Sequence, residues 1–562
     1  MNDEAVRTRW YYDCGFWLAV FLPVATGLPS WGMDFFYGDE SRHAMNGILI
    51  LDWLRAGCPS PKDFALQYYA RYPALSLGYH PPLFPAIAAC FYWVSGFSIE
   101  SARLAAWMCG MIGAGFWYQM LKEWKGRMAA ILGSLALWCA PGVVYWNRAI
   151  MSEIPAIAML AIAGFWLLRF SRTGIGRNLC LAAISGGLAV SAKQTTIWWL
   201  LAAVVFLGWQ TGWRNLFTRR MAMAGAIYIL FILPIALLTI TVGQTNISKN
   251  VGWGANIGRL FSLANWSYYL AAIPKQIGWP ATILAIIGCV MTLKERRIPL
   301  ARAIDGENNA GIKTPNRHPG DAGVFFLLWL AANYLVMSLF LYKSMRLGLL
   351  GVPPLAAMAA ISAMWLSKKT PHFSGKTALL FTFLFPFQII GVHTPSVRGF
   401  AELAEFAQKN WSGETLLYDG AHSGSFIVRL REIDPNRRRI VLRGSKSLSA
   451  TQVMSIFGVK ALVATEEEIL RFLREHHTGI IILENKDMLD LPHSRMLRQL
   501  VKNRPDLFQQ LTLPPVAMSE EFAPCLPITA YRMTGNEPAR QHTKKLKLHF
   551  PIIGDAVDVT IH

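Results

Sequence analysis

Two adjacent carboxylates and a guanidinium, Asp39, Glu40 and Arg42 in the stretch GDESRH, stand in a basic chain with 34 Asp and Glu against 54 Lys and Arg. A water-facing carboxylate pair beside a bilayer suggests chemistry on a substrate that is itself half in lipid. Four further ionisable groups sit at the edges of apolar segments: His80 before Pro81-Pro82, Glu153 in NRAIMSEIPAI, Lys193 in SAKQTT and Arg346 in YKSMRLGLLGVPPL. Each has a plain structural alternative. Asp39 at a helix start is a common cap, and Glu153 opens an apolar segment where the helix dipole favours negative charge. Lys193, between two short apolar stretches, can snorkel, and Arg346 can anchor a helix end.

The elements that must position these groups follow from hydropathy. The chain has 562 residues, 53% of them hydrophobic, and apolar runs recur from Cys14 to His393. We expect a polytopic α-helical membrane protein with about eleven spans over residues 1–394, and a soluble α/β domain over 395–562. The apolar segments are 14–31, 101–121, 128–146, 154–169, 178–192, 195–212, 221–242, 273–293, 323–341, 347–366 and 376–393. Residues 83–97 are short and follow two prolines. They are expected to form an interfacial helix, as is the amphipathic stretch that follows Glu40. The first apolar segment is read as a retained span, since no small-residue cleavage site follows it.

With the N-terminus cytoplasmic, this count puts 20 of the 32 basic residues of 1–394 inside, in accord with the positive-inside rule. Adding 83–97 as a span would reverse that bias. The same parity puts Asp39, Glu40, Arg42, His80, Glu153, Lys193, Lys343 and Arg346 at the outer face, with the C-terminal domain also extracytoplasmic. The net charge of +20 lies mostly in the membrane part, so it reads as topology and lipid contact; no nucleic acid is expected. Eight cysteines lack metal or disulfide spacing. In the tail, TLLYDG (415–420), ALVAT (461–465) and GIIILEN (479–485) read as strands, separated by helix-like stretches at 449–457 and 466–476.

GDESRHAMNG followed by YHPPLFPAIAACFYWVSGFSIESARL resembles the opening of the C-superfamily (GT-C) membrane glycosyltransferases, in the group of the protein O-mannosyltransferases and the aminoarabinose transferase of lipid A. There an Asp-Glu pair follows the first span, a Pro-Pro-Leu segment comes next, and an Arg lies in the following helix, here Arg103. Glu153 matches a second acidic residue, and Arg346 to Pro354 resembles a late Arg followed by prolines. The likeness is strong over residues 30–200, looser over 340–360 and slight in the tail. His80 stands where aminoarabinose-type enzymes tend to have Lys, and Phe84-Pro85 where mannosyltransferases continue with Gly-Lys.

The resemblance implies a polyprenyl-phosphate sugar donor and an acceptor hydroxyl on a lipid, glycan or protein, with inversion at the anomeric carbon. It implies Asp39 as general base, Glu40 and Glu153 on acceptor or sugar hydroxyls, and Arg42, His80, Arg103, Lys193 and Arg346 toward the donor, chiefly its phosphate. No cofactor and no divalent metal is expected, since basic residues can neutralise the leaving group. The setting is an integral membrane protein, of a bacterial inner or plasma membrane. A protein O-mannosyltransferase is the alternative within the class. A transporter or flippase is the rival outside it, but no internal repeat is visible and the charges gather at one face. A catalytically silent, partner-binding family member is a further reading, and the intact Asp-Glu pair argues against it.

Overall fold

The structure, a computed structural model, describes residues 12–76, 78, 80–241, 257–304, 322–369, 374–451, 459–486, 491–534, 544–549 and 556–561. It divides into two compact units. One holds the described residues of Met1–Pro29, Ala106–Leu238 and Asn250–His393; the other holds those of Ser30–Ala105, Thr239–Lys249 and Thr394–His562. One unit boundary lies between His393 and Thr394, and residues 30–105 group with the tail. The first eleven helices are α1 (Cys14–Gly27), α2 (Glu40–Arg55), α3 (Pro61–Arg71), α4 (Leu83–Ser95), α5 (Ile99–Lys125), α6 (Arg127–Trp138), α7 (Pro141–Asn147), α8 (Glu153–Thr173), α9 (Gly176–Ala192), α10 (Trp198–Thr211) and α11 (Arg219–Thr241).

In the helical unit, α1 starts where the Asp13 side chain accepts from the Gly15 amide at 3.1 Å, an N-cap that Lys122 (2.6 Å) and Tyr118 (2.9 Å) hold from α5. Gly113 on α5 lies so close to α8 that an added Cβ would fall 2.5 Å from the Ala158 Cα. Small residues at helix crossings permit this approach where lipid offers no hydrophobic drive between helices. α8 packs on α9 and ends at Gly174, whose φ of 68° is left-handed. By length and composition, four helices among the described residues can cross a bilayer: Glu153–Thr173, Arg219–Ile240, Ala322–Leu339 and Met345–Lys369. α6 and α7, bent by 63°, would be a fifth as one broken span. Of the other expected segments, several are apolar helices below spanning length among the described residues, including Cys14–Ser30, Trp279–Lys294 and Leu379–Gly391. Leu83–Ser95, expected not to cross, is likewise too short.

In the second unit, α2 buries Ala44, Met45, Ile48 and Leu51. The apolar stripe expected on the membrane surface is covered instead, because α2 packs on α4 and Gly47 lets Pro85 and Tyr92 approach closely. The tail strands are β1 (Val397–Arg398), β2 (Thr415–Asp419), β3 (Ile440–Arg443), β4 (Ser449–Thr451), β5 (Val459–Ala461), β6 (Thr478–Glu484), β7 (Phe508–Leu511), β8 (Ala517–Met518), β9 (Ile528–Met533), β10 (Lys544–His549) and β11 (Ala556–Ile561). The main sheet has the order β3-β2-β6-β9-β7, with β3, β2 and β6 parallel and β9 antiparallel to both of its neighbours, β6 and β7.

β2 and β6 are buried along their whole length, as the continuous apolar runs of parallel strands require. Helix Glu466–Glu475 forms as expected, with Thr465 accepting from Glu468 at its N-terminus. ALVAT does not join the main sheet. Exposed β5 overlaps it only at Ala461 and pairs with β4, while Val463 is buried outside any strand. The helix-like stretch at 449–457 begins as β4, and residues 452–458 lie outside the described residues.

Candidate active site

The ionisable groups form two clusters, one in each unit. In the second unit Asp39 holds the N-cap position of α2, but its side chain makes no capping bond. Asp39 Oδ1 instead accepts from Arg42 Nη1 at 2.7 Å and lies 3.8 Å from His80 Nε2, with the side chain 15% exposed. The helix-cap alternative for Asp39 therefore falls away.

Glu40 is used differently. It is wholly buried, and its Oε1 accepts the amides of Phe36 (3.1 Å) and Tyr37 (2.9 Å), closing the loop before α2. Arg103, also buried, donates to the backbone of that loop at Met33 O (2.8 Å) and Asp34 O (3.5 Å). Asp34 in turn receives Arg429 Nε at 2.7 Å and the Phe400 amide at 3.1 Å. The loop is thus fixed by Glu40, Arg103 and Arg429, leaving Asp39 as the carboxylate at its end. Sequence reasoning missed His43, whose ring lies 4.4 Å from that of His80, tilted by 35°. Its place four residues after Asp39, on the same helix face, was the available signal.

In the helical unit Glu153, the first residue of α8, is fully buried. Its Oε1 contacts Lys193 Nζ at 2.6 Å and Arg346 Nε at 3.2 Å. Lys193 leaves α9 in an extended conformation that points it there, and Arg346 comes from the short helix Met345–Gly348 with its guanidinium 5.8 Å over the Trp146 ring. Glu153 Oε2 has no hydrogen-bond partner among the described residues. Three groups far apart in sequence thus form one ion triad, neither a snorkelling lysine nor a plain helix-end anchor. Two cations meet one carboxylate here, and burial strengthens the pull of such charges on an anion. Lys343, three residues before Arg346, donates to Met337 O (3.2 Å) and Ser338 O (3.0 Å), and burial pushes its ammonium down to about 8.

A sequence model described as dolichyl-phosphate-mannose-protein mannosyltransferase matches residues 79–238, a stretch that includes His80, Arg103, Glu153 and Lys193. Among solved structures, ArnT from Cupriavidus metallidurans bound to undecaprenyl phosphate aligns over 93% of this chain and 99% of its own, with a TM-score of 0.51 and 13% identity. Its apo state gives a TM-score of 0.55. The chain has the GT-C fold. The oligosaccharyltransferase AglB from Archaeoglobus fulgidus, in complex with an inhibitory peptide and a dolichol-phosphate, also aligns, over 85% of this chain and 69% of its own, with a TM-score of 0.51 and 11% identity. No curated protein sequence matches. The resemblance read from GDESRH and its surroundings is borne out, and the GT-C fold carries a sheet-containing C-terminal part in this chain.

His422, Glu484 and Cys525 bring possible ligand atoms within 4.8 Å of one another. Glu484 is already engaged, however: Oε1 accepts from Tyr418 Oη (3.0 Å) and the His422 amide (2.7 Å), and Oε2 from the Ala421 amide (3.1 Å). Its role is to hold the loop after β2.

Proposed function

We propose that this GT-C protein moves a sugar from a polyprenyl-phosphate donor to an acceptor hydroxyl on a lipid, glycan or protein. The observation that carries the reading is the Glu153, Lys193 and Arg346 triad, a buried site with two cations on a fold found in proteins solved with undecaprenyl phosphate and with a dolichol-phosphate. In this reading Lys193 and Arg346 take the donor phosphate and stabilise the charge that develops as polyprenyl phosphate leaves. Glu153 holds the two cations apart from bulk water and offers Oε2 to a substrate hydroxyl.

Asp39 accepts the acceptor proton as the new bond forms, with inversion at the anomeric carbon. A carboxylate is a weak base for a free alcohol, so Asp39 acts as the proton is lost in the transition state. Arg42 and His80 orient the carboxylate and counter the charge of the phosphate, while Glu40 and Arg103 fix the loop that carries it. The cations supply the neutralisation that a divalent metal would otherwise give. The membrane part, with about eleven spans, carries the reaction to the extracytoplasmic side of a bacterial membrane, and the tail lies on that side. A mannosyl donor and a protein acceptor form the narrower alternative, which the match over residues 79–238 keeps open.

The test is transfer by purified protein in liposomes supplied with polyprenyl-phosphate sugars and envelope extracts. Labelled product that forms equally with and without EDTA supports the reading. Flipping of the lipid without transfer, or an absolute need for manganese, overturns it.

A further inference from the structure

The Asp39 loop and the loop after β2 meet at a cavity of about 190 Å³, and its lining residues all belong to the second unit. Gly38 and Ser41, on either side of Asp39 in sequence, line it from the first segment, and His422, Gly424 and Ser425 from the second. Gly424 brings helix Ser423–Ile433 so near α2 that an added Cβ would collide with the Ser41 hydroxyl. Ser425 Oγ donates to Phe35 O at 3.5 Å, across 390 residues of chain. The cavity is therefore a built feature of the contact between tail and loop.

Its lining is of two kinds. Phe35, Phe36, Tyr37 and Phe522 offer aromatic surface, while His422 and Arg443 bring polar nitrogen. The His422 ring is fixed: Nδ1 lies 3.3 Å from Glu484 Oε2, and the Phe522 ring meets the imidazole edge-on at 4.7 Å. Glu484 already accepts from Tyr418 Oη and from the amides of Ala421 and His422, so it accepts from Nδ1–H as well. In the neutral imidazole a proton on Nδ1 leaves Nε2 as a hydrogen-bond acceptor. Among the described residues nothing donates to that nitrogen.

A sugar ring matches such a lining. Its C–H faces pack on the electron-rich faces of aromatic rings, and its hydroxyl rim calls for a few fixed polar groups at the edges. The volume is below the roughly 300–1,000 Å³ of drug-sized pockets, which restricts the occupant to about one monosaccharide. A peptide segment or an acyl chain needs a longer groove.

We infer that this cavity is the subsite for one sugar ring of the acceptor, in which His422, oriented by Glu484, accepts a hydrogen bond from one ring hydroxyl while a second goes to Asp39. The inference rests on Asp39 being the base. It narrows the acceptor to a glycan or glycolipid and gives the C-terminal domain a task in selecting it.

The test pairs two substitutions of His422 with opposite geometry. His422→Asn keeps a polar atom where Nδ1 meets Glu484 and removes the one at Nε2; His422→Gln does the reverse. The full-length protein in phosphatidylcholine nanodiscs is mixed in turn with mannose, glucose, galactose and N-acetylglucosamine, and saturation-transfer NMR reads binding. At least one sugar should bind. His422→Asn should weaken that binding about tenfold at an unchanged melting temperature, as the loss of one hydrogen bond to the ligand does. His422→Gln should keep the binding and lower the melting temperature. In the transfer assay His422→Asn should raise the envelope extract needed for half-maximal rate about tenfold and leave the donor KM unchanged. No binding by any of the four sugars overturns the subsite, as does equal binding by wild type and His422→Asn. Equal losses of binding and of melting temperature in both variants make His422 structural and overturn its role. A rise in donor KM instead assigns the cavity to the donor sugar and overturns the acceptor subsite. Sugar binding without transfer removes the reaction and leaves the sugar site standing, while transfer without sugar binding does the reverse.

Discussion

Asp39 and Glu153 are both carboxylates at the start of a helix, and their surroundings give them opposite work. Asp39 is 15% exposed, with one guanidinium at 2.7 Å and an imidazole at 3.8 Å. Glu153 is wholly buried, with an ammonium at 2.6 Å and a guanidinium at 3.2 Å on the same oxygen. A carboxylate with solvent access can accept a proton and release it. A carboxylate sealed between two cations cannot do so cheaply, because protonation would strand both charges in a dry place. Position at a helix start is therefore a poor guide to role; the number and kind of partners decide it.

The sharpest way to break this contrast is Asp39→Asn. It keeps size and polarity but removes the base, and transfer should fall about a thousandfold while undecaprenyl phosphate still binds. Near-normal turnover in the reconstituted assay would leave the two carboxylates without distinct roles. Glu153→Gln should act the other way, on stability first. It leaves Lys193 and Arg346 buried without their shared counter-charge, at a cost of about 3–5 kcal/mol in thermal or denaturant unfolding. Adding Lys193→Met to Glu153→Gln should restore part of that loss, because one stranded charge goes with it. If the double variant were as unstable as the sum of the singles, the triad would not be a coupled unit.

How far the sequence carried this contrast depends on the residue. Asp39, Glu153, Lys193 and Arg346 were legible as unusual charges at apolar edges, and the likeness around GDESRH named the fold. The joining of 153, 193 and 346 was not legible, because nothing local in α8, α9 or Met345–Gly348 records that their ends meet. Glu40 and Arg103 were read with the reacting groups, yet both are engaged with backbone of the loop at 33–37, a use that a side-chain formula cannot display. The strand reading held for β2 and β6, where long β-branched or aliphatic runs are buried. It failed for ALVAT, where only Ala461 lies on a strand, and that strand pairs outside the main sheet. His43 passed unnoticed because a histidine inside a helix is ordinary until its neighbours are known.

A smaller effect sharpens the phosphate side. Arg346→Lys keeps the charge but gives up the planar guanidinium over Trp146 and its reach to Glu153. Affinity for undecaprenyl phosphate should fall about tenfold, with turnover at saturating donor much less affected. A fall in turnover with unchanged affinity would move Arg346 from binding to the reacting bond.

The smallest expected effect separates Lys343 as a phosphate contact from Lys343 as a structural lysine. Its ammonium is held near 8 in the folded protein by burial, against 10.5 ordinarily. Between those values the unfolded chain binds the extra proton, so stability should rise as pH climbs from about 8 to about 10.5, and Lys343→Met should flatten that rise. Donor affinity, if Lys343 supplies charge to the phosphate, should move the opposite way and weaken by a few-fold above pH 8 as the ammonium is lost. A purely structural Lys343 would give the first trend without the second. Melting temperature and undecaprenyl phosphate affinity, measured across the same pH series on wild type and Lys343→Met, distinguish the two, because opposite slopes in the wild type that both vanish in the variant require the lysine to face the donor.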